Sequence, residues 1–160
     1  HYMTNLKWIL GPKPEDMPFN WQSKITELFK LETGETYTQT TFRMLGIPEW
    51  YGNKILIDSS LYPSAESLMG VMWCKPLLDD RIRIVALVLD NAVQNNSHGS
   101  DIINEVITLS RNRGKKHIQL EVRESNVRAQ NFYSRHGLEV EQTIANYYSN
   151  EDGLVMSGKL

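Results

Sequence analysis

The sequence predicts a mixed α/β domain, and three observations carry the prediction. Three strand-like runs, Lys54 to Ser59, Leu68 to Lys75 and Arg81 to Leu89, are separated by Tyr62-Pro63 and by Pro76 to Asp80, and read as an antiparallel meander. An amphipathic helix follows over Gly99 to Arg113, with Ile102, Ile103, Val106, Ile107 and Leu109 on one stripe and Gly114 as its terminator. Directly after it, Ile118, Leu120 and Val122 alternate with Gln119, Glu121 and Arg123, the period of a strand with one apolar and one polar face. Strand, helix, strand implies a parallel crossover.

The remaining elements fit around this frame. Leu6 to Leu10 reads as a short strand closed by Gly11-Pro12. A helix beginning near Asn20 carries Trp21, Ile25, Leu28 and Phe29 on its apolar stripe and ends at Gly34. The threonines of Glu35 to Leu45 favour strand or loop, whereas Tyr37, Thr41, Met44 and Leu45 could form a helical face; the reading leans to a second short helix. Past Arg123, Ser125 or Asn126 can cap a helix in which Ala129, Phe132, Tyr133 and His136 recur at helical spacing, and Gly137 fits the left-handed position after it. Two short strands close the chain, Leu138 to Ile144 and Leu154 to Ser157, with Asn150 to Gly153 as their turn.

Bulk properties narrow the function. At 160 residues the chain is expected to form one domain over 1–160 and to bury about two thirds of its unfolded surface. His1 and Tyr2, before Met3, read as the remnant of an expression tag. A net charge of −2 gives no electrostatic reason to expect nucleic acid or an acidic membrane, so small molecules or proteins are the expected partners, with the chain a monomer or homodimer. Cys74 is the single cysteine and sits in the apolar run Val71, Met72, Trp73, which points to a buried, inert thiol. His98, His117 and His136 lack metal-ligand spacing with one another or with Cys74, and no metal is expected. No apolar run approaches the roughly 20 residues that span a bilayer, and no signal-peptide pattern precedes the first strand, so a cytoplasmic location is expected.

Two constellations carry chemistry. The first joins a strand to a helix through polar groups: Glu121, Val122, Arg123, Glu124, Ser125 and Asn126, then Ala129, Tyr133 and Gly137. A carboxylate on the polar face of a strand and a phenol on the next helix suit acid/base work. The second is the loop Gln94, Asn95, Asn96, Ser97, His98, Gly99, Ser100, which opens a helix. Free amides and the positive dipole end make such a junction a ready anion site, and small side chains admit a phosphate; the same residues also fill ordinary capped loops. The loop is neither a Walker loop nor a dinucleotide fingerprint, and no carboxylate pair marks a magnesium site, which argues against nucleotide hydrolysis.

Together the two constellations resemble the GNAT family of N-acetyltransferases, most closely its branch of ribosomal-protein alanine acetyltransferases and protein N-terminal acetyltransferases. Gln94 to Gly99 is similar to the family's acetyl-CoA loop, with Ser97 in place of its first glycine, and the loop lacks the family's common arginine or lysine. Glu121-Val-Arg-x-Ser-Asn126-x-x-Ala129-x-x-x-Tyr133-x-x-x-Gly137 resembles the later motif, and Asn146-Tyr147-Tyr148 with Leu154-Val155-Met156 fits the branch; the likeness covers Arg81 to Met156. The resemblance implies a central mixed sheet of about six to seven strands, splayed between the fourth and fifth and flanked by about four helices. It implies that Leu87, Val88 and Leu89 present backbone groups to the pantetheine and thioester, that the loop from Gln94 through Asn95, Asn96, Ser97, His98 and Gly99 to Ser100 holds the pyrophosphate, and that Asn126 contacts coenzyme A. It makes Glu121, directly or through a water, the base that frees an amine, and Tyr133 the general acid that gives the departing thiolate a proton or hydrogen bond. The acceptor implied is the α-amine of a protein or peptide. A small-molecule amine is the alternative acceptor, and a non-catalytic acyl-CoA-binding domain the alternative from another class.

Overall fold

A computed structural model of the chain describes residues 5–160; the proposed tag remnant, His1 and Tyr2, lies outside the described residues. The elements in chain order are β1 (Leu6–Leu10), α1 (Phe19–Thr33), α2 (Gln39–Leu45), β2 (Lys54–Asp58), β3 (Leu68–Pro76), β4 (Arg81–Leu89), α3 (His98–Asn112), β5 (His117–Arg123), α4 (Val127–Arg135), β6 (Glu139–Tyr148) and β7 (Glu151–Lys159). The strands form one seven-stranded sheet in the order β1-β2-β3-β4-β5-β7-β6. β4 and β5 run parallel across the α3 crossover, as the strand, helix, strand pattern requires, and β5 is antiparallel to β7. By contact density the chain divides into two compact units, one up to Cys74 with Ala86–Ile102, the other Lys75–Val85 with Ile103–Leu160.

The first unit holds the meander and the two N-terminal helices. β2 and the first seven residues of β3 are buried almost throughout, because helices or neighbouring chain cover both faces. The ambiguous segment before them resolves into α2, whose cap explains it. The Thr38 hydroxyl accepts from the Thr41 amide while Thr41 reaches back to the Thr38 amide, so the threonines that argue against a helix are the ones that start it. Aromatic packing then fixes α1 and α2 on the sheet: Phe29 lies 5.3 Å from Trp73, Phe42 6.1 Å from Trp73, and Tyr37 5.0 Å from Phe29. Burying each such ring contributes about 1.5–3 kcal/mol.

In the second unit β5 alternates as the sequence predicts, with Ile118, Leu120 and Val122 buried and the residues between them partly exposed. Asn126, of the two possible caps, caps α4: its Oδ1 accepts from the Ala129 amide at 3.1 Å, and Gly137 takes the left-handed conformation at φ 88°. The tail departs from expectation. β6 and β7 run on to Tyr148 and from Glu151, leaving Ser149 and Asn150 as the turn rather than Asn150 to Gly153. Gly153 belongs to the strand because the Tyr147 side chain lies against it; a Cβ there would meet Tyr147 at 2.9 Å. Asn146, at φ 55° with its amide donating to Asp152 at 2.8 Å, makes the kink that lets the ring cross.

Candidate active site

The loop that opens α3 is anchored from several directions within the first unit. Asp90 caps a short turn over Asn91–Val93, and the Asp90 amide donates to the Met69 carbonyl at 2.8 Å. Val93 is buried against Leu56 and Met69, with Trp8 and Leu89 packed on the same cluster. The Trp8 indole donates to the His98 carbonyl at 3.1 Å, tying β1 to the first turn of α3. Gly70 brings β3 close to this part of β4: a Cβ would sit 2.8 Å from the Leu89 side chain and 3.2 Å from the Val88 carbonyl. The β4–β5 ladder pairs Arg81, Ile82 and Arg83 with His117, Ile118 and Gln119.

Two side chains of the loop, Gln94 and Ser97, are engaged by neighbouring residues. Gln94 donates to the Leu89 carbonyl at 2.8 Å and to Glu32 at 2.9 Å, while the other Glu32 oxygen accepts the Asn91 amide at 3.1 Å. Glu32, on α1, was not singled out by sequence reasoning, because its partners lie about 60 positions away. Asn95 carries the positive φ of the segment, 65°, and Ser97 does not, so the serine that replaces a family glycine occupies backbone that any residue adopts. The Ser97 hydroxyl donates to Asp101 at 3.1 Å. His98 begins α3, one residue earlier than the periodicity indicates. With the Gln94 and Ser97 side chains engaged in these hydrogen bonds, the backbone amides near the start of α3 are the groups suited to an anion.

In the second unit the polar face of β5 presents Gln119, Glu121 and Arg123. The Glu121 side chain is 12% exposed, and its hydrogen-bond partners are Arg83 and Tyr147. Arg83 grips the carboxylate with a fork, Nη2 to Oε1 at 2.7 Å and Nε to Oε2 at 3.3 Å. The Tyr147 hydroxyl donates to Oε1 at 3.0 Å. Burial resists the charge on Arg83, yet Glu121 outweighs it and holds the guanidinium above its usual value. Burial, then the Glu121 carboxylate, raises the Tyr147 phenol, against the pull of Arg83. The phenol therefore stays protonated at neutral pH and acts as a donor.

Arg123, next along this face, pairs with Glu151 and Asn150 and stacks on the Tyr148 ring at 4.3 Å. Glu151 also accepts the Ser125 amide at 2.9 Å and its hydroxyl at 3.0 Å; these two bonds and Arg123 hold it below the usual carboxylate range against the cost of burial. That bracing holds the turn leading into Asn126, whose own oxygen is committed to the cap. Tyr133 is 7% exposed on α4, with its ring 5.2 Å from Phe132. Sequence reasoning singles out Glu121, Asn126 and Tyr133 but not Arg83, since nothing in local spacing joins residues 38 apart.

Cys74 is fully buried, and burial pushes its thiol far above the usual range, as expected of an inert core cysteine. Among the described residues no group of three or more His, Cys, Asp or Glu is placed to hold a metal, and no helix is long and apolar enough to cross a membrane.

Known proteins agree with this architecture. The family model for acetyltransferases of the GNAT family matches residues 22–138. Among solved structures, Ard1 from Thermoplasma volcanium superposes with a TM-score of 0.80 at 20% identity, covering 98% of this chain and 99% of its own. A chain of the NatC complex bound to Gag peptide and CoA gives 0.78 at 19% identity, covering 98% and 99%. The ribosomal-protein-S18-alanine N-acetyltransferase from Escherichia coli gives 0.74 at 18% identity, covering 96% and 93%. No curated protein matches the chain at the level of sequence. With the family model spanning most of the chain over the same strands and helices that carry the two constellations, the protein belongs to the GNAT acetyltransferase family.

Proposed function

We propose that the protein transfers the acetyl group of acetyl-CoA to the α-amino group of a protein or peptide by direct attack on the thioester. The observation that carries the reading is the largely buried Glu121 carboxylate on the polar face of β5, oriented by two donors, Arg83 of β4 and Tyr147 of β6. An amine attacks only when neutral, and an α-amine has an unperturbed pKa of roughly 8, so a positioned carboxylate that accepts its proton, directly or through a water, is what the reaction needs. Loss of the thiolate needs a proton in turn; a phenol's unperturbed pKa is about 10, and Tyr133 is the proposed donor. The amides of Leu87 to Leu89 and of the loop from Gln94 to Ser100 would meet the pantetheine and pyrophosphate, with Asn126 a further cofactor contact. No covalent enzyme intermediate enters this scheme.

The protein acceptor is supported by what two structural relatives are: one is bound to a peptide together with CoA, the other is an enzyme of a ribosomal-protein alanine. Steady-state acetylation of a peptide panel and of a polyamine panel tests the acceptor. The expected outcome is transfer to peptides with rates set by their first two residues. Preference for polyamines would replace the acceptor class, and calorimetric binding of acetyl-CoA without turnover on any amine would make the domain a binder. Absence of acetyl-CoA binding would overturn the reading altogether.

A further inference from the structure

The Glu121 carboxylate has two oxygens and about four lone-pair sites. Oε1 receives Arg83 Nη2 at 2.7 Å and the Tyr147 hydroxyl at 3.0 Å, which fills it. Oε2 receives only the longer bond from Arg83 Nε, at 3.3 Å, and keeps a lone pair open. Arg83 also donates to the Tyr147 oxygen at 3.5 Å, so the three groups close a ring of contacts around one edge of the carboxylate. Arg83 makes the last pair of the β4–β5 ladder, opposite Gln119, and its side chain reaches two residues further along the same face to Glu121. A forked guanidinium holds a carboxylate in one plane, which a lysine could not do.

We infer that Arg83 is a positioning residue for acetyl transfer: with Tyr147 it saturates Oε1 and fixes Glu121 so that Oε2 alone is presented to the acceptor. This rests on the proposed transfer reaction with Glu121 as base. The proton leaving the acceptor nitrogen passes to Oε2, directly or through water, and on to solvent. The nitrogen bonds the acetyl carbon, the carbon–sulfur bond breaks, and the coenzyme A thiolate takes a proton. Arg83 keeps its charge throughout and touches no reacting atom.

The test is a mutant cycle on kcat with a peptide acceptor, using Arg83→Met, Glu121→Gln and the double variant, with Arg83→Lys as the conservative control. Removing a general base costs about a hundredfold or more, and misplacing it about tenfold. The expected result is therefore a loss of about tenfold in Arg83→Met, about a hundredfold in Glu121→Gln, and a double variant no worse than Glu121→Gln, because the two act as one unit. Arg83→Lys should recover part of the rate, and the KM for acetyl-CoA should hold within about twofold, since the thioester end is untouched. The penalty of Arg83→Met should also shrink above the acceptor's own pKa of roughly 8, where the amine is already neutral; loss of a structural brace would persist at every pH. Multiplying penalties, a raised KM for acetyl-CoA, or a penalty constant in pH would each overturn the inference while the transfer reading stood. A wild-type protein that acetylates no amine would instead sink the transfer reading.

Discussion

At the scale of single residues, the buried polar side chains show how long-range partners turn ordinary positions into structural ones. Asn53 is 7% exposed; its amide nitrogen donates to the carbonyls of Pro48 at 3.0 Å and Cys74 at 3.1 Å, and its oxygen accepts the Cys74 amide at 2.7 Å. It thus mimics a strand partner for β3 where β2 begins. Truncation to alanine strands buried backbone groups, each worth about 1–3 kcal/mol when unsatisfied. Asn53→Ala should therefore lower stability by about 3 kcal/mol in urea titration, with the m-value unchanged. In the sequence Asn53 follows Gly52 and looks like turn punctuation; its partner stands 21 positions on. Glu121 was legible for a different reason. Its polar-face position follows from strand alternation, whereas the partners that orient it, 38 and 26 positions away, do not.

At the scale of elements, what the sequence disclosed tracks how local the cause is. Periodicity places β5 and α3 within a residue or two, since the apolar stripe of each is buried. The β6–β7 hairpin was misjudged in length because its turn chemistry, Asn150 to Gly153, competes with a packing event between Tyr147 and Gly153 that no local pattern records. The loop before α3 is the functional case. Its composition reads as an anion site, and Gln94 as a cofactor contact, yet Gln94 is spent on Leu89 and Glu32. If the loop holds the cofactor, the part of Gln94 is to hold the loop, and Glu32 on α1 shares it. Two lost hydrogen bonds at about 1 kcal/mol each predict that Glu32→Ala weakens acetyl-CoA binding by about thirtyfold. Gln94→Ala should do the same, and the double variant should lose more than either yet less than their product, because the singles share the Gln94–Glu32 bond, by calorimetric titration. A strong effect of Gln94→Ala with none from Glu32→Ala would show instead that Gln94 meets the ligand directly.

For the whole molecule, charge decides how a polyanionic cofactor can be held. The chain carries 17 Lys and Arg against 19 Asp and Glu, and none of the basic residues falls between Asp90 and Ser110, the span that includes the α3 loop and most of its helix. A net charge of −2 offers no attraction at long range. If pyrophosphate is held here, its partners are neutral N–H donors and the partial charge of a helix end, which act only within the first turn. Raising salt from about 0.05 to 0.3 M shortens the screening length from roughly 14 to roughly 6 Å, which suppresses distant charges and leaves contact dipoles nearly intact. The dissociation constant of acetyl-CoA should therefore change by less than about threefold over that range in calorimetric titration, far less than for sites built on lysine or arginine clamps. A steep loss of affinity with salt would mean that cationic side chains outside Asp90 to Ser110 carry the phosphates, and that the loop is a capped turn rather than the anion site.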